Sequence, residues 1–186
     1  MVQLYYTDSQ TLSPAVLERW LPRIHPEKAE RLRRSKLEDA KASIAGELLL
    51  RYGMWKTFGI SPKSLQTAPD ATGKPQVISH EGVHFNISHS GFHCICAVSD
   101  RPVGVDLQEI RPIRFQKLAN RFFTPEELGL FAQWGATEDA FFTLWARKEA
   151  LGKLSGRGLR PGATEQGVIV LEKSFQNCKI CVMSSP

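Results

Sequence analysis

The sequence predicts an α+β protein made of two similar halves, residues 1–101 and residues 102–186. Both halves contain strand-like runs and helical stripes, in the order strand, helix, strands and then strand, helices, strands. A length of 186 residues allows one domain or two small ones. The hydrophobic fraction of 42% and the charged fraction of 23% are typical of a globular protein, which excludes a disordered, collagen-like or coiled-coil chain.

The first half opens with a predicted strand at residues 2–6. A helix is expected near Pro26, because proline suits the first helical turn. A longer helix follows, with one apolar stripe at three- and four-residue spacing that ends at Gly59 and Pro62. The stripe is formed by Leu37, Ala40, Ile44, Leu48, Tyr52 and Trp55. Residues 61–76 contain three prolines and a glycine, which predicts a loop.

Three strands are predicted next, at residues 83–87, 92–98 and 102–107, because these runs are rich in β-branched and aromatic residues. Residues 88–91, with the sequence Ser-His-Ser-Gly, are predicted to form the tight connection between the first two of these strands. The third strand opens the second half.

The rest of the second half is predicted to contain helices and two final strands. Thr124 and Glu127 form a capping box with proline at the first helical position, and Thr137 begins a further helix. This last helix is predicted to end at Gly156, Gly158, Pro161 and Gly162. Strands at residues 167–171 and 179–183 close the chain.

The charge and the cysteines limit the partners and the compartment. A net charge of +5 favours anionic partners such as nucleic acid, nucleotides or acidic proteins, without choosing among them. No apolar run is long enough for a membrane span, and the amino terminus lacks the basic and apolar regions of a secretory signal. The four cysteines, Cys94, Cys96, Cys178 and Cys181, are expected to be reduced thiols of a cytoplasmic protein.

A zinc site is a possible alternative use of the cysteines. Cys94 and Cys96 would need ligands from the nearby histidines, which are His80, His84 and His93. The spacing lacks the paired knuckles of ordinary zinc ribbons, and two cysteines at i and i+2 of a strand share one face, as buried small residues do. The pattern therefore favours core thiols over a metal site.

Several acidic and basic residues could carry chemistry near the ends of predicted elements. Asp106 ends an apolar strand and could hold a hard cation, with Gln108 on the same face and Glu109 on the other. Glu149 and Lys153 are four residues apart and share a helix face. Without a site, these groups would be a solvated strand end and a surface ion pair.

Other candidates are a histidine and three basic residues. His89 lies between serines and could donate to a phosphate or act as a base, or could simply be held in its turn. Lys28 and Arg31 are three residues apart in a basic run, which is either a phosphate clamp or a solvated helix face. Lys74 lies in a rigid Gly-Lys-Pro turn.

Taken together, these fragments resemble the 4′-phosphopantetheinyl transferase superfamily, in its larger, pseudo-dimeric type, which includes the surfactin-synthetase-activating enzymes. Four patterns occur in the family order, over about residues 25 to 160. They are Gly73-Lys74-Pro75, Phe85-Asn86-Ile87-Ser88-His89-Ser90, Gly104-Val105-Asp106 and Trp145-x-x-Lys148-Glu149-Ala150-x-x-Lys153. The resemblance implies two α+β half-domains related by pseudo-two-fold symmetry, with the active site in the cleft between them and a monomeric protein.

The resemblance also implies the reaction and the partners. Coenzyme A would donate its 4′-phosphopantetheine arm to a serine of an apo acyl or peptidyl carrier protein with an acidic surface, and 3′,5′-ADP would leave. Mg²⁺, or Mn²⁺, would be required. No membrane or nucleic acid takes part in this reaction.

The resemblance assigns roles to the matching residues. Asp106, Gln108 and Glu149 would hold the metal, and Glu149, directly or through a water, would be the base for the serine. Lys153 would stabilise or protonate the leaving phosphate, and His89 would donate to the pyrophosphate. For coenzyme A, Lys28 and Arg31 would bind the 3′-phosphate, Lys74 would lie near the adenine, and Ser88 would lie near the phosphates.

Two positions depart from the family pattern. Many members have a second acid where this chain has Gln108, and many have an arginine where it has Ala42. A transferase that binds coenzyme A but reacts slowly is therefore an alternative, motivated by Gln108. A basic nucleic-acid-binding module without catalysis is another, motivated by the net charge, but no recognition motif supports it.

Overall fold

The computed structural model describes residues 1–24, 26–159 and 167–185, so the predicted helix end at Pro161 and Gly162 lies outside the described residues. The elements in chain order are β1 (Val2–Asp8), α1 (Pro14–Trp20), α2 (Pro26–Arg33), α3 (Leu37–Phe58), β2 (Thr67–Pro69), β3 (Pro75–Val77), β4 (His84–Ser90), β5 (His93–Ser99), β6 (Val103–Glu109), α4 (Phe115–Phe122), α5 (Pro125–Gln133), α6 (Glu138–Ser155), β7 (Val168–Phe175) and β8 (Cys178–Ser184). Among the described helices, none is long and apolar enough to cross a lipid bilayer.

The two halves repeat one sheet topology. The first sheet has the order β1-β5-β4 and the second the order β6-β8-β7, and every pairing is antiparallel. Each sheet therefore has the first strand of its half on one edge, the last strand in the centre and the remaining strand on the other edge. The prediction of an α+β fold with two similar halves is confirmed.

The two sheets face each other, and a helix covers the outer side of each. The core between the sheets consists of Ile95, Ala97, Val103, Val105, Leu107, Cys178, Ile180 and Val182. Cys94, Cys96 and Val98 alternate with Ile95 and Ala97 along β5, so they point to the opposite face. There they pack against α3, and α6 packs in the same way on the second sheet.

The long helix α3 forms as predicted, but its buried face differs from the predicted stripe. Ala40 and Ile44 are buried, whereas Leu37, Tyr52 and Trp55 are about half exposed. The helix is covered by the first sheet on one side and by α1 and α2 on another, so buried residues point in several directions. A single apolar stripe cannot describe a helix that is covered on two sides.

The predicted loop at residues 61–76 contains a short hairpin, so this prediction is wrong in part. Strands β2 and β3 pair antiparallel, and Asp70 accepts hydrogen bonds from the backbone N–H groups of Thr72 and Lys74. This side-chain turn closes the hairpin, and Gly73 supplies the positive φ of 86°.

The predicted turn at residues 88–91 is also wrong in part. Strand β4 continues through Ser90, which is paired with His93, so the connection is made by Gly91 and Phe92 alone. The polar residues that resemble a turn in the sequence are strand residues. The Ser88 and Ser90 side chains have hydrogen-bond partners on a strand that is distant in sequence.

Those partners belong to β6, the first strand of the second half. Asn86 Oδ1 accepts a hydrogen bond from the Val105 N–H at 3.0 Å, and the Ser88 and Ser90 hydroxyl oxygens accept from the next alternate N–H groups at 3.2 and 3.1 Å. Strands β4 and β6 are edge strands of different sheets. They are joined by side chains instead of backbone pairing, and we refer to these three contacts as the side-chain ladder.

Candidate active site

Asp106 lies in β6 beside the side-chain ladder and is almost fully buried, with 1% of its surface exposed. Its Oδ1 accepts a hydrogen bond from the Ser88 hydroxyl at 2.9 Å and from Lys153 Nζ at 2.6 Å. Its Oδ2 accepts from Gln108 Nε2 at 2.7 Å. The structure thus brings together four of the predicted site residues, and the alternative of a solvated strand end is wrong.

The hydroxyl of Ser88 links this cluster to the ladder. It donates to Asp106 and accepts from Lys153 Nζ at 2.7 Å and from the Leu107 N–H at 3.2 Å. One donor and two acceptor positions are all that a hydroxyl has, so its hydrogen bonds are complete. The predicted contact of Ser88 with the phosphates of a substrate stays a prediction.

Close packing of α6 on β6 places the helical site residues next to Asp106. A Cβ atom at Gly104 would lie 2.1 Å from the Ala150 carbonyl oxygen and 2.5 Å from the Leu154 nitrogen. The helix backbone therefore touches the strand backbone where the glycine leaves room. Glu149 and Lys153 immediately precede the two contact residues, Ala150 and Leu154, along α6.

Glu149 is half-buried, and no hydrogen bond to its carboxylate is made within the described ranges. Burial raises the pKa of Glu149 above its usual range, and the nearby Asp106 carboxylate raises it further, while Lys153 opposes the shift. Two acids are thus close enough to repel each other. A raised pKa makes this carboxylate a better proton acceptor than an ordinary exposed glutamate.

His89 points away from the ladder, on the face of β4 that also carries Ile87. Its side chain is partly exposed, and desolvation by the surrounding protein, followed by the Lys153 charge, holds its pKa below the usual range. The charge of Lys28 acts on it in the same direction. His89 therefore lies within the influence of both the Asp106 cluster and the basic helix α2.

A cleft of about 590 Å³ opens on that same face. Lys28 and Arg31 of α2 line it, as do Phe85 and Ile87 of β4 and the hairpin segment 66–69. Its lining combines apolar side chains with more basic than acidic ones; the acids are Glu27 and Glu47, and Glu47 lies 3.8 Å from Lys28 Nζ. This mixture of apolar surface and excess positive charge suits a ligand with a flat apolar part and phosphate groups. The two residues of the predicted phosphate clamp therefore face one cavity.

Lys74 takes a different position. Its Nζ donates to the Leu154 carbonyl oxygen at 2.9 Å, at the carboxyl end of α6, where a positive charge is favourable. It also lines a second cavity of about 400 Å³. The hairpin lysine thus connects the two halves, and its predicted contact with an adenine stays a prediction.

Glu109 does not join the site. Strand β6 keeps its regular pairing with β8 through Glu109, without the kink that would turn this side chain toward Asp106. Gln108 is therefore the residue of the strand that shares the face of Asp106. It donates its amide to that carboxylate, where many family members are expected to have an acid.

The four cysteines are buried thiols in separate parts of the molecule. Cys94 and Cys96 share the face under α3, Cys178 lies between the sheets, and Cys181 lies under α6. Burial raises the pKa of Cys94 and of Cys181 to about 12. Cys94 and Cys96 belong to the apolar core under α3, and this arrangement agrees with the interpretation of the cysteines as core residues.

Sequence reasoning missed a contact that ties α5 to α6. Lys148 Nζ donates to Glu127 Oε2 at 2.8 Å, and the same oxygen accepts from the Thr124 N–H at 2.8 Å in the predicted capping box. The residue before Glu149 is thus anchored to the start of another helix. The sequence shows the capping box, but it gives no local sign of a lysine that lies 21 residues further on.

Both halves of the repeated fold match models of one class of enzyme. The model "4′-phosphopantetheinyl transferase, N-terminal" covers residues 13–101, and the model "4′-phosphopantetheinyl transferase superfamily" covers residues 102–184. The chain belongs to the 4′-phosphopantetheinyl transferase superfamily, and it is an enzyme of this class.

Known relatives support the same family. The chain is 35% identical to a "4′-phosphopantetheinyl transferase" of Bacillus subtilis over 151 residues, which are 80% of this chain and 67% of the relative. It is 34% identical, with the same coverage, to "4′-phosphopantetheinyl transferase Sfp" of Bacillus subtilis (strain 168). It is 30% identical to the "L-aminoadipate-semialdehyde dehydrogenase-phosphopantetheinyl transferase" of Xenopus laevis, over 73% of this chain and 50% of that protein. The matched region therefore spans from half to about two thirds of these relatives.

Proposed function

We propose that this enzyme transfers the 4′-phosphopantetheine arm of coenzyme A to a serine of an apo carrier protein and releases 3′,5′-ADP. The observation that carries the proposal is the buried Asp106–Lys153–Ser88 cluster, which lies between the two halves with Glu149 beside it. A carboxylate, an ammonium and a second acid of raised pKa are the groups that a phosphoryl-type transfer to a hydroxyl requires.

The acids present fit a bound Mg²⁺ ion. Burial is the main cause of the raised pKa of Glu149, and the Asp106 carboxylate adds to it, so a cation beside both acids would offset the cost of their charges. Mg²⁺ binds one or two carboxylates together with substrate phosphates, so a cluster of three acids is not needed. The described residues contain no such larger cluster. Gln108 would contribute its amide oxygen if the amide turned over from its present bond to Asp106.

The metal would neutralise the charge of the pyrophosphate, and the side chains would accept the proton and stabilise the leaving group. Glu149 accepts the proton of the carrier serine as its oxygen attacks the phosphorus that bears the pantetheine arm. The bond from that phosphorus to the bridging oxygen breaks, and the electron pair leaves with 3′,5′-ADP. Lys153 stabilises or protonates this leaving phosphate, and His89 donates to the pyrophosphate. The lowered pKa of His89 leaves it neutral, with one N–H to donate.

The remaining parts of the proposal concern substrates and organisation. Lys28 and Arg31, which line the cleft, bind the 3′-phosphate of coenzyme A. We propose a carrier protein with an acidic surface, which the net charge of +5 on this chain would attract. We further propose a cytoplasmic monomer whose half-domains are residues 1–101 and 102–186.

A mass measurement tests the reaction. The protein is mixed with coenzyme A, Mg²⁺ and a panel of apo fatty-acid, peptide and polyketide carriers, and each carrier is weighed by mass spectrometry. A gain equal to one phosphopantetheine group supports the proposal. No gain on any carrier overturns it.

Three variants test the residue roles in the same assay. Glu149→Gln and Asp106→Ala are expected to abolish transfer, because the first removes the base and the second removes the buried carboxylate. Glu18→Gln, an exposed acid on α1, is the control and should keep full activity. Full activity of either site variant would contradict the metal assignment. Slow transfer by the unaltered protein on every carrier would instead favour the slow transferase that Gln108 suggests.

A further inference from the structure

The lining of the cleft contains more basic residues than the two predicted clamp residues. Arg23, in the short 3₁₀ turn Leu21–Arg23, and Arg51 of α3 line the same cavity as Lys28 and Arg31. Ala42, where the resemblance leads us to expect an arginine, is 1% exposed and supplies no charge. The cleft thus has arginines at positions that the motifs do not mark.

The two additional arginines are held very differently. Arg51 forms an ion pair with the buried Glu47, with its Nη2 2.9 Å from Glu47 Oε1, and it also donates to the Leu65 carbonyl oxygen. Its hydrogen-bonding groups are therefore used within the protein. Arg23 has no carboxylate partner among the residues that the structure describes.

Trp20 fixes the position of Arg23 without using its donors. The Arg23 guanidinium carbon lies 5.4 Å from the centre of the indole ring, and that of Arg51 lies 5.9 Å from it. Stacking on an aromatic face leaves the N–H groups at the edge of the guanidinium unbound. Arg23 lines the cavity, and a planar fork of N–H donors is well suited to bind a phosphate there through two hydrogen bonds.

We propose that Arg23 is a phosphate-binding residue of this cleft, which shares the 3′-phosphate of coenzyme A with Lys28 and Arg31. The proposal rests on the proposed function, because that function supplies the ligand. Arg23 takes over the charge that Ala42 cannot supply. It therefore contributes to the preference for coenzyme A over the same molecule without its 3′-phosphate.

Isothermal titration calorimetry with two ligands tests this assignment. Coenzyme A and 3′-dephospho-coenzyme A are titrated into the unaltered protein, Arg23→Gln, Arg23→Lys and the control Arg19→Gln, an exposed arginine of α1 outside the cleft. Arg23→Gln should weaken binding of coenzyme A by about 5- to 10-fold, as expected for one charge-assisted contact at a partly exposed site. It should change binding of the dephospho ligand by less than about twofold.

The lysine variant separates the effect of charge from that of the planar guanidinium, and the control tests for a general effect of removing an arginine. Arg23→Lys keeps the charge but loses the planar fork, so it should fall between the unaltered protein and Arg23→Gln. Arg19→Gln should bind both ligands like the unaltered protein. An Arg23→Gln variant that keeps full affinity for coenzyme A, or loses affinity for both ligands equally, overturns the assignment of Arg23 alone. An unaltered protein that binds neither ligand overturns the proposed function, and the Arg23 assignment with it.

Discussion

Replacing Gly104 by alanine should disturb the active site through the packing of two backbones. The added Cβ would lie 2.1 Å from the Ala150 carbonyl oxygen and 2.9 Å from the Leu154 Cα, which is closer than real Cβ atoms approach other atoms. Neither obstacle is a flexible side-chain end. Helix α6 would therefore have to move away from β6 by about 1 Å, because a contact between backbone atoms cannot be relieved by rotating a side chain, and the core is close-packed.

The energetic cost follows from this displacement. Overpacking a core by one methyl group typically costs about 1–3 kcal/mol, and backbone obstacles on both sides place this site at the upper end, at about 3 kcal/mol. For a chain of this size, that loss corresponds to a fall in Tm of about 6–12 °C. The displaced helix also carries Glu149 and Lys153, so transfer activity should fall even in the folded fraction.

Gly129 provides a matched control for this glycine-to-alanine change. It lies inside α5, and nothing lies within 4 Å of a Cβ built on it. Gly129→Ala should therefore stabilise the protein by about 0.5–1 kcal/mol, because alanine favours the helix. Urea unfolding followed by tryptophan fluorescence measures both variants. A loss of less than about 1 kcal/mol for Gly104→Ala would refute the argument from backbone contact.

Three further predictions concern the groups around this helix. Lys148→Met should destabilise the protein by about 1–2 kcal/mol in urea unfolding, because Glu127 loses a partly buried partner; an unchanged midpoint would contradict this. Glu149→Gln should stabilise the metal-free protein at neutral pH, since a raised pKa means that the charged form is disfavoured by folding. Folding favours the protonated form of Glu149, and this contribution to stability is lost as the pH rises through the raised pKa of the folded state. The stability gained by Glu149→Gln should therefore vanish below about pH 4, where the glutamate is protonated in the unfolded state as well. An equal gain at both pH values would show that charge is not the cause. Gln108→Glu should keep transfer activity and tighten Mg²⁺ binding in a calorimetric titration, whereas an inactive variant would show that the amide has a specific task.

The part of the site that the sequence predicts depends on local geometry. Alternation along a strand places Asp106 and Gln108 on one face, and the four-residue helical repeat places Glu149 and Lys153 together. Both relations hold in the structure, because they follow from the period of each element. The family resemblance then links the strand to the helix, which no spacing within either element could do.

The features that the sequence does not predict depend on contacts between distant segments. The exposed face of α3 follows from the layers on both of its sides, and the hydrogen bonds of the Ser88 and Ser90 side chains follow from the position of β6 beside β4. Arg23 carries no periodic signal at all, since its role depends on the cavity that folding builds around it. In each case, the structural environment is set by a segment that is distant in sequence, so the local run of residues does not predict it.

The side-chain ladder makes the two halves dependent on each other in a way that a continuous sheet would not. The N–H groups of Val105 and Leu107 are protected from exchange with solvent by side chains of the other half, so their exchange rates report how often the halves separate. The short connection at residues 100–102 keeps the two halves at a high effective concentration. The side-chain ladder therefore re-forms quickly after the halves separate, even if its hydrogen bonds are few. If that connection were cut, the edge of β6 would be open to pairing with other chains, and aggregation would compete with reassembly.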